Sequence, residues 1–72
     1  MIPDIYIAIE TPLGTRWVYK VPQAFAATAE QIRTYGICVA GRHEGRWQLH
    51  GTCTIHDQRY IDILDATPVF KP

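Results

Sequence analysis

The residues of this sequence best suited to chemistry are its cysteines and histidines. His50, Cys53 and His56 form an HxxCxxH run, and imidazole and thiolate are the ligands that Zn²⁺ prefers. Strict alternation around the run indicates a strand, on which both histidines point to one face and Cys53 to the other. Side chains on opposite faces cannot converge on one ion. We therefore expect two exposed histidines and a buried, reduced Cys53, with no metal bound.

Nucleophilic catalysis has little support in the same residues. A Cys53–histidine pair would need an accessible thiolate, and a thiol among apolar side chains is inert. The sequence has no serine and no glycine-rich phosphate loop, and no pair of acidic residues suggests general acid–base catalysis. Cys38 and Cys53 fall on diagonal positions of neighbouring strands, which disfavours a disulfide. We expect a protein without enzymatic activity or cofactor.

A second group combines basic and aromatic side chains near two predicted turns. Arginine beside an aromatic ring is typical of protein hot spots and also of contacts with phosphates and bases. Glu44 and Asp57 lie in the same region and the formal net charge of the chain is zero, which disfavours non-specific nucleic-acid binding. We predict a protein partner and keep nucleic acid as the alternative. The candidate partner-binding residues here are Arg42, His43, Arg46, His50, His56 and Arg59.

Composition restricts the class of protein. Seventy-two residues and 8.2 kDa form one domain, and 47% hydrophobic with 19% charged residues is typical of a globular chain. The longest apolar runs, such as Ile5–Ile9, are too short to span a membrane. Acidic Asp4 and the lack of a basic, then apolar, leader argue against a secretory signal. We expect a cytoplasmic protein with reduced thiols.

The elements that position these residues begin with a hairpin. Residues 5–10 and 15–21 show the two-residue alternation of a strand on either side of Thr11-Pro12-Leu13-Gly14, a sequence typical of a tight turn. Proline 22 ends the second strand because it has no N–H to donate. The sequence predicts two antiparallel strands over the first 21 residues.

One helix is predicted between residues 23 and 35, where the chain is rich in alanine. It begins at Thr28 if Thr28 and Gln31 form a capping box, or earlier, after Pro22. Gly36 is expected to end it in the left-handed conformation. The residues predicted to face the core from this helix are Phe25, Ala29 and Ile32.

The second half of the chain is predicted to complete the sheet. Residues 37–41 and 46–56 form strands around Glu44-Gly45, the latter with one buried and one exposed face. Residues 59–64 fit either a strand or a short helix capped by Asp57, and the strand is favoured. The prediction is an α+β fold: a small antiparallel sheet of four to five strands, in the order ββαββ(β), with one helix packed on one face.

The hairpin register assigns side chains to the two faces of this sheet. The face that the helix should cover carries Cys38, Ala40, Trp47, Leu49, Cys53 and Ile55. The opposite face then carries Tyr6, Ile37 and Val39, joined by Val18, as an apolar patch, unless Val69 and Phe70 of the C-terminal tail cover it. Such patches mark partner or dimer interfaces. We therefore add Tyr6, Ile37 and Val39 to the candidate partner-binding residues and expect a homodimer or a tight partner.

These observations together predict a small non-enzymatic protein-binding module. A domain of this size buries only about 60% of the surface of its unfolded chain, so a bound partner would stabilise it noticeably. A chain that starts with Met1 and ends in a proline tail is typical of a complete small gene product. Many such products are stoichiometric inhibitors, adaptors or subunits that occlude a surface of a larger protein. Mobile genetic elements encode some of them against host defence systems, which is one expectation here.

Overall fold

The computed structural model describes residues 3–50 and 53–71. This part of the chain is a small α+β protein with a four-stranded antiparallel sheet in the order β1-β2-β3-β4 and two α-helices. The predicted fold class is confirmed. The elements are β1 Asp4–Glu10, β2 Arg16–Pro22, α1 Ala29–Tyr35, β3 Ile37–His43, β4 Arg46–Leu49 and α2 Gln58–Asp65. Neither described helix is long and apolar enough to cross a membrane.

Both hairpins turn where the sequence predicts. In the first, the Gly14 N–H donates to the Thr11 carbonyl at 3.0 Å, and Gly14 has a φ of 86°, which favours glycine. In the second, Glu44 and Gly45 both have positive φ, as the tightest hairpin turns require. With Glu44 and Gly45 as the central residues of the turn, the sequence predicts that Arg42 faces Trp47 and Ala40 faces Leu49, and both pairs are confirmed. The predicted pairs with residues 51 and 52 lie outside the described residues.

β4 ends at Leu49, and the prediction of one strand over residues 46–56 was therefore wrong. The Leu49 N–H donates to the Cys53 carbonyl at 2.8 Å, and the Ile55 N–H donates to the Trp47 carbonyl at 2.9 Å. The chain thus reverses after β4 and runs back along its outer edge. Alternation of apolar residues is the same in both directions, so it gave no sign of the reversal. Residues 51 and 52, which belonged to the predicted strand, lie outside the described residues.

α1 begins at the later of its two predicted starts. The Thr28 side chain accepts a hydrogen bond from the Gln31 N–H at 3.1 Å, as a capping residue does. Ile32 is fully buried, as predicted. Phe25, however, lies in a 3-10 turn before the cap and stacks on Tyr35 at a ring distance of 4.3 Å, partly exposed. Its assignment to the buried helical face was wrong because that turn breaks the helical period.

Gly36 follows α1 in extended backbone with a φ of −90°, so the predicted left-handed conformation was wrong. The position instead requires glycine for a close approach. A Cβ atom there would collide with the Ile32 carbonyl oxygen and lie 3.2 Å from the Val21 Cβ. This contact lets the chain pass directly from α1 into β3.

An apolar cluster lies on each face of the sheet. The face covered by α1, here called the back face, buries Ile9, Val21 and Ile32. The opposite, front face is covered by α2, and its buried residues are Ala8, Val18, Ala40, Trp47 and Leu64. The predicted burial of Ala40 and Trp47 is confirmed, but the helix that covers them is α2 and not α1.

Residues 58–65 form α2, so the strand favoured for residues 59–64 was wrong. Asp57 caps the helix by accepting a hydrogen bond from the Arg59 N–H at 2.9 Å. In a helix, Ile61 and Leu64 share one side and pack together on the front face. A strand would have turned Leu64 away from Ile61, leaving the front face without this cover.

A β-bulge in β3 changes the predicted faces. Val18 pairs with Ala40, while the next residue, Tyr19, pairs with Cys38, so Val39 is the extra residue. The bulge moves Cys38 to the back face and leaves Ile37 and Val39 on the front face with Ala40. The prediction that Tyr6, Ile37 and Val39 lie on the face opposite Ala40 and Trp47 was therefore wrong. Four further residues of the face predicted to be covered are not buried: Leu49 and Cys53 are exposed, and Cys38 and Ile55 are half-buried. The predicted apolar face is therefore divided between both sides of the sheet and the segment after β4.

The C-terminal tail pairs with β1 at one residue. The Ala8 N–H donates to the Pro68 carbonyl at 2.8 Å, and the Phe70 N–H donates to the Ala8 carbonyl at 2.7 Å. Val69 packs on the front cluster and Phe70 on the back cluster. The tail thus packs against the core along the sheet edge and leaves most of the front face to α2.

Trp47 anchors the end of α2 to the sheet. Its side chain is 2% exposed, and its Nε1–H donates to Asp65 Oδ1 at 2.8 Å. The Arg42 guanidinium lies 3.7 Å from the same carboxylate oxygen and 5.6 Å from the centre of the indole ring. This buried donor with a charged acceptor sets where α2 crosses the front face.

We expect Trp47→Ala to lower the free energy of unfolding by about 3–5 kcal/mol, because it leaves a cavity under α2. Trp47→Phe keeps most of the volume and loses the bond to Asp65, so it should cost about 1–2 kcal/mol. Asp62→Asn, an exposed control on α2, should stay within about 0.5 kcal/mol. Urea denaturation checks all three. A Trp47→Ala variant as stable as the control would contradict the anchoring role.

Gly36→Ala should destabilise the chain by about 1–3 kcal/mol, because the added methyl overpacks the contact with the Ile32 carbonyl. The measurement is the shift of the urea midpoint at unchanged slope. Stability equal to that of the unmodified chain would contradict the packing reason given for this glycine.

Candidate partner-binding surface

An apolar groove of about 290 Å³ lies between α2 and the front face of the sheet. Val18 and Leu64 form its buried floor. Its sides combine residues from the sheet, from α2 and from the segment that leaves α2. These are Tyr6, Val39, Tyr60, Ile63 and Thr67.

The groove exists because α2 is shorter than the strands that it crosses. A helix of eight residues is about 12 Å long, and a strand of seven residues spans about 23 Å. The anchor at Trp47 holds α2 toward β4. The part of the front face that it leaves uncovered, here called the open half, comprises Tyr6, Lys20, Ile37 and Val39.

Large apolar side chains of the open half remain in water. Tyr6 is 54% exposed and Ile37 is 70% exposed, while Val39 is half-buried and packs against the core. Val18, which the sequence placed in the same exposed patch, is fully buried beneath α2, and that part of the prediction was wrong. On α2, Ile63 extends the apolar surface with 69% exposure.

The charged groups at the rim of the open half balance each other. Lys20 Nζ lies 3.9 Å from Asp4 Oδ2, and both side chains are about half exposed. None of the seven residues that line the groove carries a charge. Such a site favours an apolar segment of a partner over a charged ligand.

The basic candidates are distributed over other parts of the surface. Arg42 is half-buried in the anchor of α2, and Arg59 is exposed beside Asp57, with 3.5 Å between Nη2 and Oδ2. Arg46 and His56 line one shallow depression next to Trp47. The role of these side chains in partner binding remains a prediction.

Two candidate histidines lie together on the back face. His43 packs edge-on against Trp17 with ring centres 4.8 Å apart, and His50 lines the same depression. The Trp17 ring lies so close to Gly41 that no Cβ would fit there. The nine sequence candidates therefore occupy at least two separate surfaces, and the open half is the one that joins the apolar groove described above.

Tyr60 and Ile63 were not among the residues predicted from the sequence. A strand over residues 59–64 would have placed Tyr60 and Ile63 on opposite faces. Read as a helix, the same residues show a signal: at about 100° per residue, Ile63, Tyr60, Leu64 and Ile61 form one continuous apolar arc. Ile61 and Leu64 pack on the front face, and Ile63 and Tyr60 at the other end of the arc line the groove.

The two cysteines have different surroundings. Burial raises the pKa of the Cys38 thiol, which donates weakly to the Ala40 carbonyl at 3.7 Å. Burial, and secondarily the adjacent Cys38, raises the pKa of Tyr19. Cys53 is exposed, and no disulfide joins it to Cys38. Within residues 3–50 and 53–71, no three His, Cys, Asp or Glu side chains are grouped to hold a metal ion.

We expect a thiol reagent at neutral pH to label the Cys38→Ala variant faster than the Cys53→Ala variant. The former retains exposed Cys53, and the latter retains Cys38, whose raised pKa keeps it protonated to higher pH. Labelling of Cys38 should accelerate through pH values above the ordinary thiol range. The time course of mass change measures both rates. Faster labelling of Cys38 would contradict its assigned surroundings.

Comparison of this chain with models of protein families, with curated proteins and with solved structures finds no match.

Proposed function

We propose that this protein is a non-enzymatic protein-binding module that occludes a surface of a larger protein, as a stoichiometric inhibitor, adaptor or subunit. The observation that carries the proposal is the groove together with its exposed rim. Tyr6 and Ile63 line this apolar groove and are each more than half exposed, and Ile37 in the open half is also more than half exposed. Contiguous apolar surface of this kind is typical of interaction sites.

The types of residue around the groove support a protein partner. Tyr6 and Tyr60 each offer a rigid apolar ring with a polar hydroxyl, and tyrosine is enriched in interface hot spots. Val39 and Ile63 offer apolar contact without charge. A partner that inserts an apolar side chain between the two tyrosines would fill the groove and exclude water from it.

Nucleic-acid binding, the alternative, has weaker support. Three of the arginines face a carboxylate of the same chain: Arg16 faces Glu10 at 2.7 Å, and Arg42 and Arg59 face Asp65 and Asp57. These pairs reduce the positive potential that attracts a phosphate backbone.

The proposal is tested by recovering the tagged chain from cells that contain it naturally. Ile63→Glu places a charge in the groove rim, and Leu13→Glu is its matched control, because Leu13 is 94% exposed in the β1–β2 turn. We expect the unmodified chain and Leu13→Glu to retain one protein in equimolar amount. Ile63→Glu should bind that protein at least about tenfold more weakly, since a hot-spot substitution costs more than about 1.4 kcal/mol.

Circular dichroism confirms first that Ile63→Glu is folded. Equal retention of the same protein by both variants would contradict a role of the groove. Retention of nucleic acid that disappears at high salt, equal for both variants, would favour the alternative function.

A further inference from the structure

The outer edge of β1 is paired over only part of its length. The Gln23 N–H donates to the Pro3 carbonyl at 3.0 Å, and the Thr11 N–H donates to the Thr15 carbonyl at 2.8 Å. The odd-numbered residues of this segment therefore direct their backbone N–H and C=O groups toward β2. Because successive residues of a strand direct their backbone groups to opposite edges, Asp4, Tyr6 and Ala8 direct theirs outward.

The C-terminal tail forms hydrogen bonds with the backbone groups of Ala8, but this pairing cannot extend to Tyr6. In the parallel register that joins Ala8 to Val69, the Tyr6 carbonyl would accept a hydrogen bond from the backbone nitrogen of residue 68. That residue is proline, which has no N–H. Before it, the chain turns back into α2, where the Thr67 N–H donates to the Leu64 carbonyl at 3.2 Å. In the described part of the chain, Asp4 and Tyr6 thus form an open stretch of sheet edge.

We propose that a second copy of this chain pairs with this open edge, β1 against β1 in antiparallel orientation, with a two-fold axis at Ile5. The contact joins two four-stranded sheets into one of eight strands. Open edges are templates for strand addition, and an antiparallel edge pair is self-complementary, as a two-fold dimer requires. This dimer goes beyond the proposed function and does not depend on it.

One register fits the edge. With Ile5 at the axis, Asp4 of each copy lies opposite Tyr6 of the other, and these four residues exchange four backbone hydrogen bonds. An axis at Tyr6 would instead set Asp4 against Ala8, whose groups the tail already occupies. An axis at Asp4 would oppose two carboxylates, which is unfavourable. In the fitting register, the two half-buried Ile5 side chains meet on the back face.

The contact between the two copies is small. Each partner in a standard interface buries about 800 Å². A pairing limited to residues 4–6, the stretch that the tail leaves open, buries less than that, so we expect a reversible dimer. It brings Asp4 of one copy beside Tyr6 at the groove rim of the other, and leaves the α2 side of the groove open.

The test removes one outward-facing N–H of β1 and leaves the hydrogen bonds between β1 and β2 unchanged. Tyr6→Pro removes that donor, and proline is tolerated on an edge strand where the N–H faces outward. Tyr6→Thr, the control, also removes the ring but keeps the N–H and the preference for strand. Sedimentation equilibrium from low to high micromolar concentration should show the unmodified chain and Tyr6→Thr rising toward twice 8.2 kDa. Tyr6→Pro should stay at 8.2 kDa, with association at least about tenfold weaker.

Hydrogen exchange of the unmodified chain gives a second readout if Tyr6→Pro does not fold. The Tyr6 amide should become more protected as concentration rises, while the Ala8 amide, bonded to the tail, should not change. A chain that stays monomeric at high micromolar concentration would overturn the proposal. So would a Tyr6 amide whose exchange is independent of concentration, or a folded Tyr6→Pro that dimerises as well as Tyr6→Thr.

Discussion

Two short helices must cover a sheet that is apolar on both faces, and each helix is about half as long as the strands. The α1 and α2 helices have seven and eight residues, about 10–12 Å, against strands of about 23 Å. α1 buries Val21 on one face and α2 buries Val18 on the other. Neither can reach the ends of the sheet. The open half of the front face is exposed because α2 is too short to cover it.

The position of α2 decides where that uncovered surface lies. The bond from Trp47 Nε1 to Asp65, with Arg42 beside it, holds the end of the helix toward β4. The residues farthest from this anchor, toward β1 and the start of β3, are those that remain in water. Both the side chain and the backbone of Tyr6 are therefore accessible. Its side chain lines the groove, and its backbone groups lie at the sheet edge, where Pro68 has no N–H to donate to them.

Local signals in the sequence predicted most of the sheet. Alternation and turn residues gave both hairpins and the register at Glu44-Gly45, and Thr28 gave the start of α1. The reversal after Leu49 and the bulge at Val39 were not predictable from alternation, because neither changes the local pattern. The choice of helix for residues 58–65 depends on a tertiary demand, the need to cover the front face.

The candidate surface was less predictable. The sequence assigned Tyr6, Ile37 and Val39 to the face opposite Ala40 and Trp47, whereas the strand pairing and the bulge place all of them on the front face. Only the exposure of Tyr6 and Ile37 agrees with the prediction. Tyr60 and Ile63 could be assigned to this surface only once residues 58–65 were known to form a helix.

NMR of methyl groups with a soluble paramagnetic agent tests this surface most directly, on the chain at low concentration. We expect strong broadening of the Ile37 and Ile63 methyl signals and sharp signals for Val18 and Ile32. Protection of Ile63 equal to that of Ile32 would show that α2 leaves no such surface exposed.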